Sequence, residues 1–300
     1  MSHPVPTLVV CGARGQLGRA LAELPAPQGW GSLLLAKPEF DVTDPLSVDA
    51  ALEKVTRGAV VNATAYTAVD KAETESELAY AVNRGGARHV ALAAARNDLP
   101  VIHVSTDFVF DGQKKTAYVE EDPTAPLSVY GASKLAGEQA LAGANPRHVI
   151  LRTAWVFSRH GACFPRAIYK ALRSRPEVSV VDDQIGCPTA AEHLAEIITA
   201  IAPQLLDRAQ DDPLFGLYHL AGQPVLSRHD FARAIEAEMR KQGLDAGRVV
   251  PRKTDPDAPG ARRPANSALS SERFTAAFGM DAPDWRAILP DCVAAYGESA

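Results

Sequence analysis

Short apolar runs alternate with longer segments of helical period along the first half of the chain. Leu8–Cys11, Leu33–Ala36, Ala59–Asn62, Val101–Ser105 and Val149–Arg152 read as strands. The first four are nearly continuous apolar runs, the pattern of strands buried on both faces of a parallel sheet. Between them, Gln16–Leu24, Pro45–Thr56, Glu73–Asn97 and Tyr130–Ala142 carry helical patterning. This alternation predicts an α/β fold, a doubly wound parallel sheet of Rossmann type. Past residue 152 the alternation weakens. Short strands are expected at Val178–Val181 and Leu217–Leu220, and helices at Pro165–Arg173, Ala190–Ala202 and Arg228–Lys241. Pro251–Pro264 is rich in proline and charge and reads as a loop. There is no internal repeat and no low-complexity linker. The chain divides into 1–155, the sheet unit, and 156–300, mainly a smaller lobe with some segments returning to the sheet.

The first strand runs directly into Gly12-Ala13-Arg14-Gly15-Gln16-Leu17-Gly18, a GxxGxxG turn opening a helix. Gly12 allows the tight turn, Gly15 lets backbone amides approach a pyrophosphate, and Gly18 lets helix pack on strand. The helix N-terminus adds free N–H groups and a partial positive charge. A glycine pattern alone is weak evidence in a chain with 21 glycines. Its place after the first strand of an α/β series makes it a dinucleotide site. Residues 1–155 are then the NAD(P)-binding unit and 156–300 the substrate-binding lobe. The second strand ends at Lys37, with no acid before Glu39, and Arg14 is a second cation in the turn. Cations there accommodate a 2′-phosphate, so NADPH is expected, with NADH possible. The alternative is that both are solvated surface cations. Asp41 and Val42 follow, placed to meet the adenine.

Tyr130-Gly131-Ala132-Ser133-Lys134 is YxxxK. On a helix, i and i+4 share a face. Lys134 would lie beside the Tyr130 phenol, lower its pKa and prepare it to exchange a proton with an alkoxide. Val104-Ser105-Thr106-Asp107 closes the fourth strand, whose carboxyl end faces the ligand crevice. A Thr106 hydroxyl there can hydrogen-bond a substrate oxygen, although such residues also serve turns. The order of glycine turn, Ser-Thr strand end and YxxxK is far more specific than any one of them.

Composition narrows the partners. The 300 residues are 46% hydrophobic and 22% charged, an ordinary globular balance, and the net charge of -5 gives no basic footprint for nucleic acid. The four cysteines form no CxxC and no zinc spacing, as expected of reduced thiols. The N-terminus lacks the features of a signal peptide, and no apolar run is long enough to span a bilayer. A cytoplasmic protein without membrane or nucleic-acid partners, monomeric or homodimeric, is expected.

These motifs resemble the extended short-chain dehydrogenase/reductase superfamily. More narrowly, they resemble the dTDP-4-dehydrorhamnose reductase family. The narrower likeness rests on Asn62–Glu73 with its AYTAVDKAE, on Ser105–Gly112, Pro126–Glu138, Arg152–Phe157 and Asp182–Thr189, and on Arg262-Arg263-Pro264-Ala265-Asn266-Ser267. The resemblance implies reduction of the C4 keto group of dTDP-4-dehydro-β-L-rhamnose to dTDP-L-rhamnose, for rhamnose-containing cell-surface polysaccharides. It implies NAD(P)H over Gly15, Gln16 and Leu17, with Ala65, Tyr66, Thr67 and Val104 lining it. Tyr130 becomes the proton donor, Thr106 a contact of the reacting oxygen, and Lys134 the ribose ligand. Val69, Lys71, Asp107, Trp155 and Arg262 become substrate contacts.

Several assignments stay open on the residues alone. Trp155 also suits a core, Val69 and Lys71 a helix start, and Arg262 and Arg263 solvated charge, although paired guanidinium forks suit a diphosphate. The family's Mg²⁺ would need a carboxylate near residue 295, where the chain reads Val293-Ala294-Ala295-Tyr296, so no metal site is assigned. An epimerase or dehydratase of the same superfamily remains an alternative. A dehydratase would place Asp-Glu after the threonine, and this chain has Asp107-Phe108. A non-catalytic subunit like the regulatory β-subunit of methionine adenosyltransferase is the other.

Overall fold

The computed structural model describes residues 4–298. Six strands form one wholly parallel sheet: β1 (Thr7–Cys11), β2 (Gly31–Leu35), β3 (Gly58–Asn62), β4 (Val101–Thr106), β5 (His148–Thr153) and β6 (Gly216–His219). Their lateral order is β6-β5-β4-β3-β1-β2. The chain reverses direction across the sheet between β1 and β3, so the loops leaving their carboxyl ends diverge and open a crevice.

Side-chain alternation assigns each strand residue to one of two cores. Leu8 and Val10 pack with Leu17, Leu21, Leu194 and Ile198, from the helices Gln16–Glu23 and Ala191–Ile201. Val9 and Cys11 pack on the other face with Val48 and Val90, from Pro45–Leu52 and Ala87–Arg96. A third core, with Tyr169, Phe231, Met239 and Tyr296, belongs to the lobe. Its helices are Phe164–Ser174, Arg228–Lys241 and Leu289–Glu298, beside the parallel pair Glu177–Val181 and Arg248–Arg252. Among the described residues no helix is long and apolar enough to cross a membrane.

Three expectations need correction. β2 is not buried on both faces: it is the sheet edge, and Leu34 is 44% exposed. Its run of leucines has neighbours on one side only. The helix expected over Glu73–Asn97 begins only at Ser76, after a separate short turn at Val69–Ala72, and widens into a π-turn at Ala81–Gly86 between Ser76–Tyr80 and Ala87–Arg96. The wide turn brings Gly86 so close to Val42 that a Cβ would lie 2.8 Å from its methyl carbons. It also carries the buried Asn83 inward. The proposed loop at Pro251–Pro264 begins as strand, because Pro251 and Arg252 end Arg248–Arg252. Proline is tolerated at such an edge.

Candidate active site

The glycine turn follows β1 at the crevice. Gly12 has φ +93°, and a Cβ on it would lie 3.0 Å from the Ala63 carbonyl after β3. Gly18 is tighter: its Cβ would fall 2.2 Å from the Gly12 carbonyl oxygen, against rigid backbone. Gly15 has ordinary φ and open space beside it; a Cβ would meet only the Gly12 oxygen, at 3.4 Å. No side chain caps the helix Gln16–Glu23, so its first N–H groups are free for an anion. The cradle therefore fits a dinucleotide pyrophosphate.

The Tyr130 helix, Val129–Ala142, starts where Ser128 Oγ accepts the Gly131 amide at 3.2 Å. Gly131 explains part of the motif between Tyr130 and Lys134. A Cβ there would lie 2.2 Å from the Phe108 carbonyl oxygen, so only glycine brings the helix start against the loop after β4. Asn83 holds the third side. Its Oδ1 accepts the Tyr66 amide at 2.8 Å, and its Nδ2 donates to the Tyr66 carbonyl at 3.2 Å and Ser133 Oγ at 2.9 Å. One buried amide thus ties the loop after β3 to the Tyr130 helix.

These elements enclose a cavity of 490 Å³. Gly15, Gln16, Leu17, Ala65, Thr67, Val69, Val104, Thr106, Asp107, Tyr130, Lys134 and Trp155 line it, with Arg228 and Arg263. Other expected residues lie elsewhere. Tyr66 turns its hydroxyl away, donating to Glu75 Oε2 at 2.6 Å, and only its backbone serves this region. Lys71 is exposed and lines neither this cavity nor its neighbour. Lys37 pairs with Asp41 at 2.9 Å, and Thr43 Oγ1 also donates to Asp41, at 2.8 Å. Both charges are thereby engaged, and the Asp41 carboxyl is held at about 2, chiefly by the Thr43 amide. Val42 is buried, with its carbonyl 3.1 Å from His89 Nδ1. Arg14 instead lines a small pocket with Ala36, Glu39 and Phe40 at the end of β2.

The electrostatics overturn one expectation. Burial pushes the Tyr130 phenol up to about 12, against the pull of its hydrogen bond with Thr106. Lys134 is not among the groups that act on it, and its Nζ donates to the Val104 carbonyl at 2.6 Å. Lys134 is only 1% exposed, and burial lowers it to about 8, with Glu138 opposing. Glu138 lies one further turn along the helix and is itself clamped. Arg152 donates to it through Nε at 3.0 Å and Nη2 at 2.7 Å, and Ser105 Oγ donates to the same carboxylate. Burial also raises the Asp107 carboxyl to about 6, tempered by the Ser267 and Thr106 hydroxyls and the Arg228 charge.

Trp155 adopts φ +47°, a costly backbone for a bulky residue, and its ring lies against Gly186, where a Cβ would sit 2.4 Å from it. Arg228 covers the ring, with Cζ 3.6 Å from the centroid. Beyond lies a second cavity of 730 Å³, lined by Phe164, Gln184, Arg252, Thr254 and Arg262 and again by Arg228 and Arg263. Arg262 therefore belongs to the outer cavity. Among the described residues no group of three or more His, Cys, Asp or Glu is arranged to hold a metal. Sequence reasoning missed Asn83, Glu138, Arg152 and Arg228 as members of the site. Glu138 alone had a signal, its i+4 spacing from Lys134.

A phosphate cradle at a sheet switch point, facing a Thr-Tyr-Lys set in one cavity, defines an oxidoreductase of the short-chain dehydrogenase/reductase class. Residues 6–298 match the profile of the family described as the RmlD substrate binding domain. The chain belongs to this family, that of the dTDP-4-dehydrorhamnose reductases. It is 41% identical over 281 residues to the dTDP-4-dehydrorhamnose reductase of Sinorhizobium fredii, covering 93% of each chain. The structure of a dTDP-4-dehydrorhamnose reductase from Clostridium acetobutylicum superposes with a TM-score of 0.87 at 30% identity, covering 96% of this chain and 98% of that one. The Bacillus anthracis dTDP-4-dehydrorhamnose reductase, solved in complex with NADP, gives 0.87 at 29% identity, covering 99% and 100%.

Proposed function

We propose that this protein reduces the C4 keto group of dTDP-4-dehydro-β-L-rhamnose to dTDP-L-rhamnose with NADPH. The observation that carries the reading is one cavity joining the phosphate cradle to Thr106, Tyr130 and Lys134. Bound there, the reduced nicotinamide supplies the hydride for sugar C4. Tyr130 is protonated at neutral pH, and burial, which raises it to about 12, makes it a still weaker acid than a free phenol. It gives that proton to the sugar oxygen only as alkoxide develops, since an alkoxide is a stronger base than phenolate. Thr106, hydrogen-bonded to Tyr130, shares that oxygen and fixes its position. Lys134 spends one N–H on Val104 and keeps two for ribose hydroxyls. Val69, Asp107 and Trp155 flank the sugar. Arg14 is the cation placed to take a 2′-phosphate, since Lys37 is engaged by Asp41. The outer cavity takes the nucleoside, with Arg262 at its edge.

Net reduction is favoured over dehydration because the residue after Asp107 offers no acid or base. Phe108 instead sets its ring edge-on to Tyr130, with centroids 5.6 Å apart. A non-catalytic subunit would have no need of a buried Lys134 held in place. The test is NADPH oxidation, followed at its absorbance, against a panel of dTDP-4-keto sugars. Oxidation with the rhamnose precursor is expected. No oxidation with any of them sinks the reading. Tightly bound oxidised cofactor in the purified protein would favour an epimerase or dehydratase instead.

A further inference from the structure

The inner and outer cavities share two guanidinium groups, Arg228 and Arg263. They are not equivalent. Arg263 is engaged: it donates to the two Asp70 carboxylate oxygens at 2.9 and 2.8 Å and to the Ala261 carbonyl at 2.7 Å. The Arg228 side chain makes no hydrogen bond to any described residue. Two rings hold it instead, Trp155 at 3.6 Å and Phe164 at 4.7 Å from Cζ to centroid.

We infer that Arg228 is the residue of this chain that grips the diphosphate of the nucleotide sugar, where the two cavities meet. The inference rests on the functional reading above. If the sugar lies at Tyr130 and the nucleoside in the outer cavity, the diphosphate between them passes the shared guanidinium groups. Of the two, only Arg228 has its whole fork of donors uncommitted, whereas Arg263 already spends three N–H bonds on Asp70 and Ala261. A guanidinium seated on aromatic faces keeps its in-plane N–H groups available, and their fork matches phosphate oxygens. The rings also fix its rotamer before the ligand arrives, so little side-chain freedom is lost on binding. Burial lowers its pKa to about 10, which leaves it cationic at neutral pH. Asp107 and Arg263 are the charged groups that act on it, with opposite sign, so a bound diphosphate would supply the close counter-charge it lacks. Contact with Trp155 would in addition couple the grip to the ring that flanks the sugar.

The test compares dTDP, thymidine and NADPH as ligands of the intact wild-type protein and of Arg228→Met and Arg228→Lys. Methionine keeps an apolar stem against the rings but removes every donor. Arg228→Met is expected to weaken dTDP roughly 10–100-fold, as for loss of a charged donor in a partly buried site. Thymidine and NADPH should change by no more than about twofold, since neither meets the fork. Arg228→Lys, charged but without the planar fork, should fall between. Unchanged dTDP affinity in Arg228→Met overturns the inference. So does an equal loss for thymidine, which would mean that Arg228 only shapes the pocket. If Arg228→Met no longer binds NADPH, the protein is misfolded and Arg228→Lys decides: wild-type dTDP affinity there overturns the inference. A wild-type protein that binds no dTDP sinks the functional reading, and the inference falls with it.

Discussion

The inner and outer cavities share a wall but treat charge in opposite ways. Inside, every ionisable group that bears on the reaction is displaced by burial: Tyr130 to about 12, Lys134 to about 8 and Asp107 to about 6. Outside, Arg252 and Arg262 are exposed at the mouth of a larger space. The contrast teaches what each half is for. Proton transfer needs groups whose affinities are set by their surroundings, and a low dielectric sets them. Recognition of a hydrated, charged nucleotide tolerates exposed cations, each worth little in water. Removing an inner group should therefore change the rate, and removing an outer one should change only affinity.

The sharpest way to break this division is at Tyr130. Tyr130→Phe deletes the proposed proton donor and leaves the ring that Phe108 packs against. Loss of a positioned acid typically costs ~10²–10⁴ in rate, so kcat should fall by about that factor. NADPH binding, read by calorimetry, should stay near wild type. A variant retaining rate within tenfold would mean that the proton comes from elsewhere.

Lys134 gives the next effect, and it appears in pH. In the free enzyme the ammonium form dominates below about 8, so kcat/KM should fall above that pH. Tyr130, near 12, titrates too high to account for such a limb. Lys134→Arg, which stays charged, should remove the limb even at a lower absolute rate. Stability moves the other way. The folded value lies below the ordinary 10.5, so the stability contribution is full above 10.5 and lost as pH falls through 8. At pH 7 the buried charge therefore costs about 3 kcal/mol, and Lys134→Met should melt above wild type while losing rate. A variant melting below wild type at pH 7 would show that the Val104 contact outweighs the burial cost.

Much of this arrangement is legible in the sequence, for a physical reason. Thr106, Tyr130 and Lys134 occupy local positions, a strand end and one helical turn, and local spacing survives folding. The same spacing misleads about Tyr130, because adjacency to Lys134 says nothing of the Val104 carbonyl that draws the ammonium aside. β2 is as apolar as its neighbours, and edge position is a property of the sheet rather than of the strand. The π-turn at Ala81–Gly86 carries Asn83, whose bonds go to Tyr66 and Ser133, remote in sequence. Arg228 is hidden for the same reason: its aromatic partners lie at positions 155 and 164, in another part of the lobe. Lys37 read as a cofactor cation because its ion pair with Asp41 is a choice of rotamer, not of sequence.

The smallest effect belongs to Arg262, and it sharpens the comparison from the outer side. Arg262 is exposed, unlike Arg228, and it lines the outer cavity alone. An exposed cation facing an anionic ligand contributes about 0.2–1 kcal/mol, so Arg262→Ala should raise KM by roughly two- to fivefold. Its kcat should be that of wild type, because it does not line the inner cavity. The penalty should shrink in about 0.5 M salt, where exposed charges are screened. The Tyr130→Phe loss should be indifferent to salt, since its donor acts at contact inside the cavity. A salt-resistant fall in kcat for Arg262→Ala would place that side chain against the reacting sugar, and the outer cavity would then share in the chemistry.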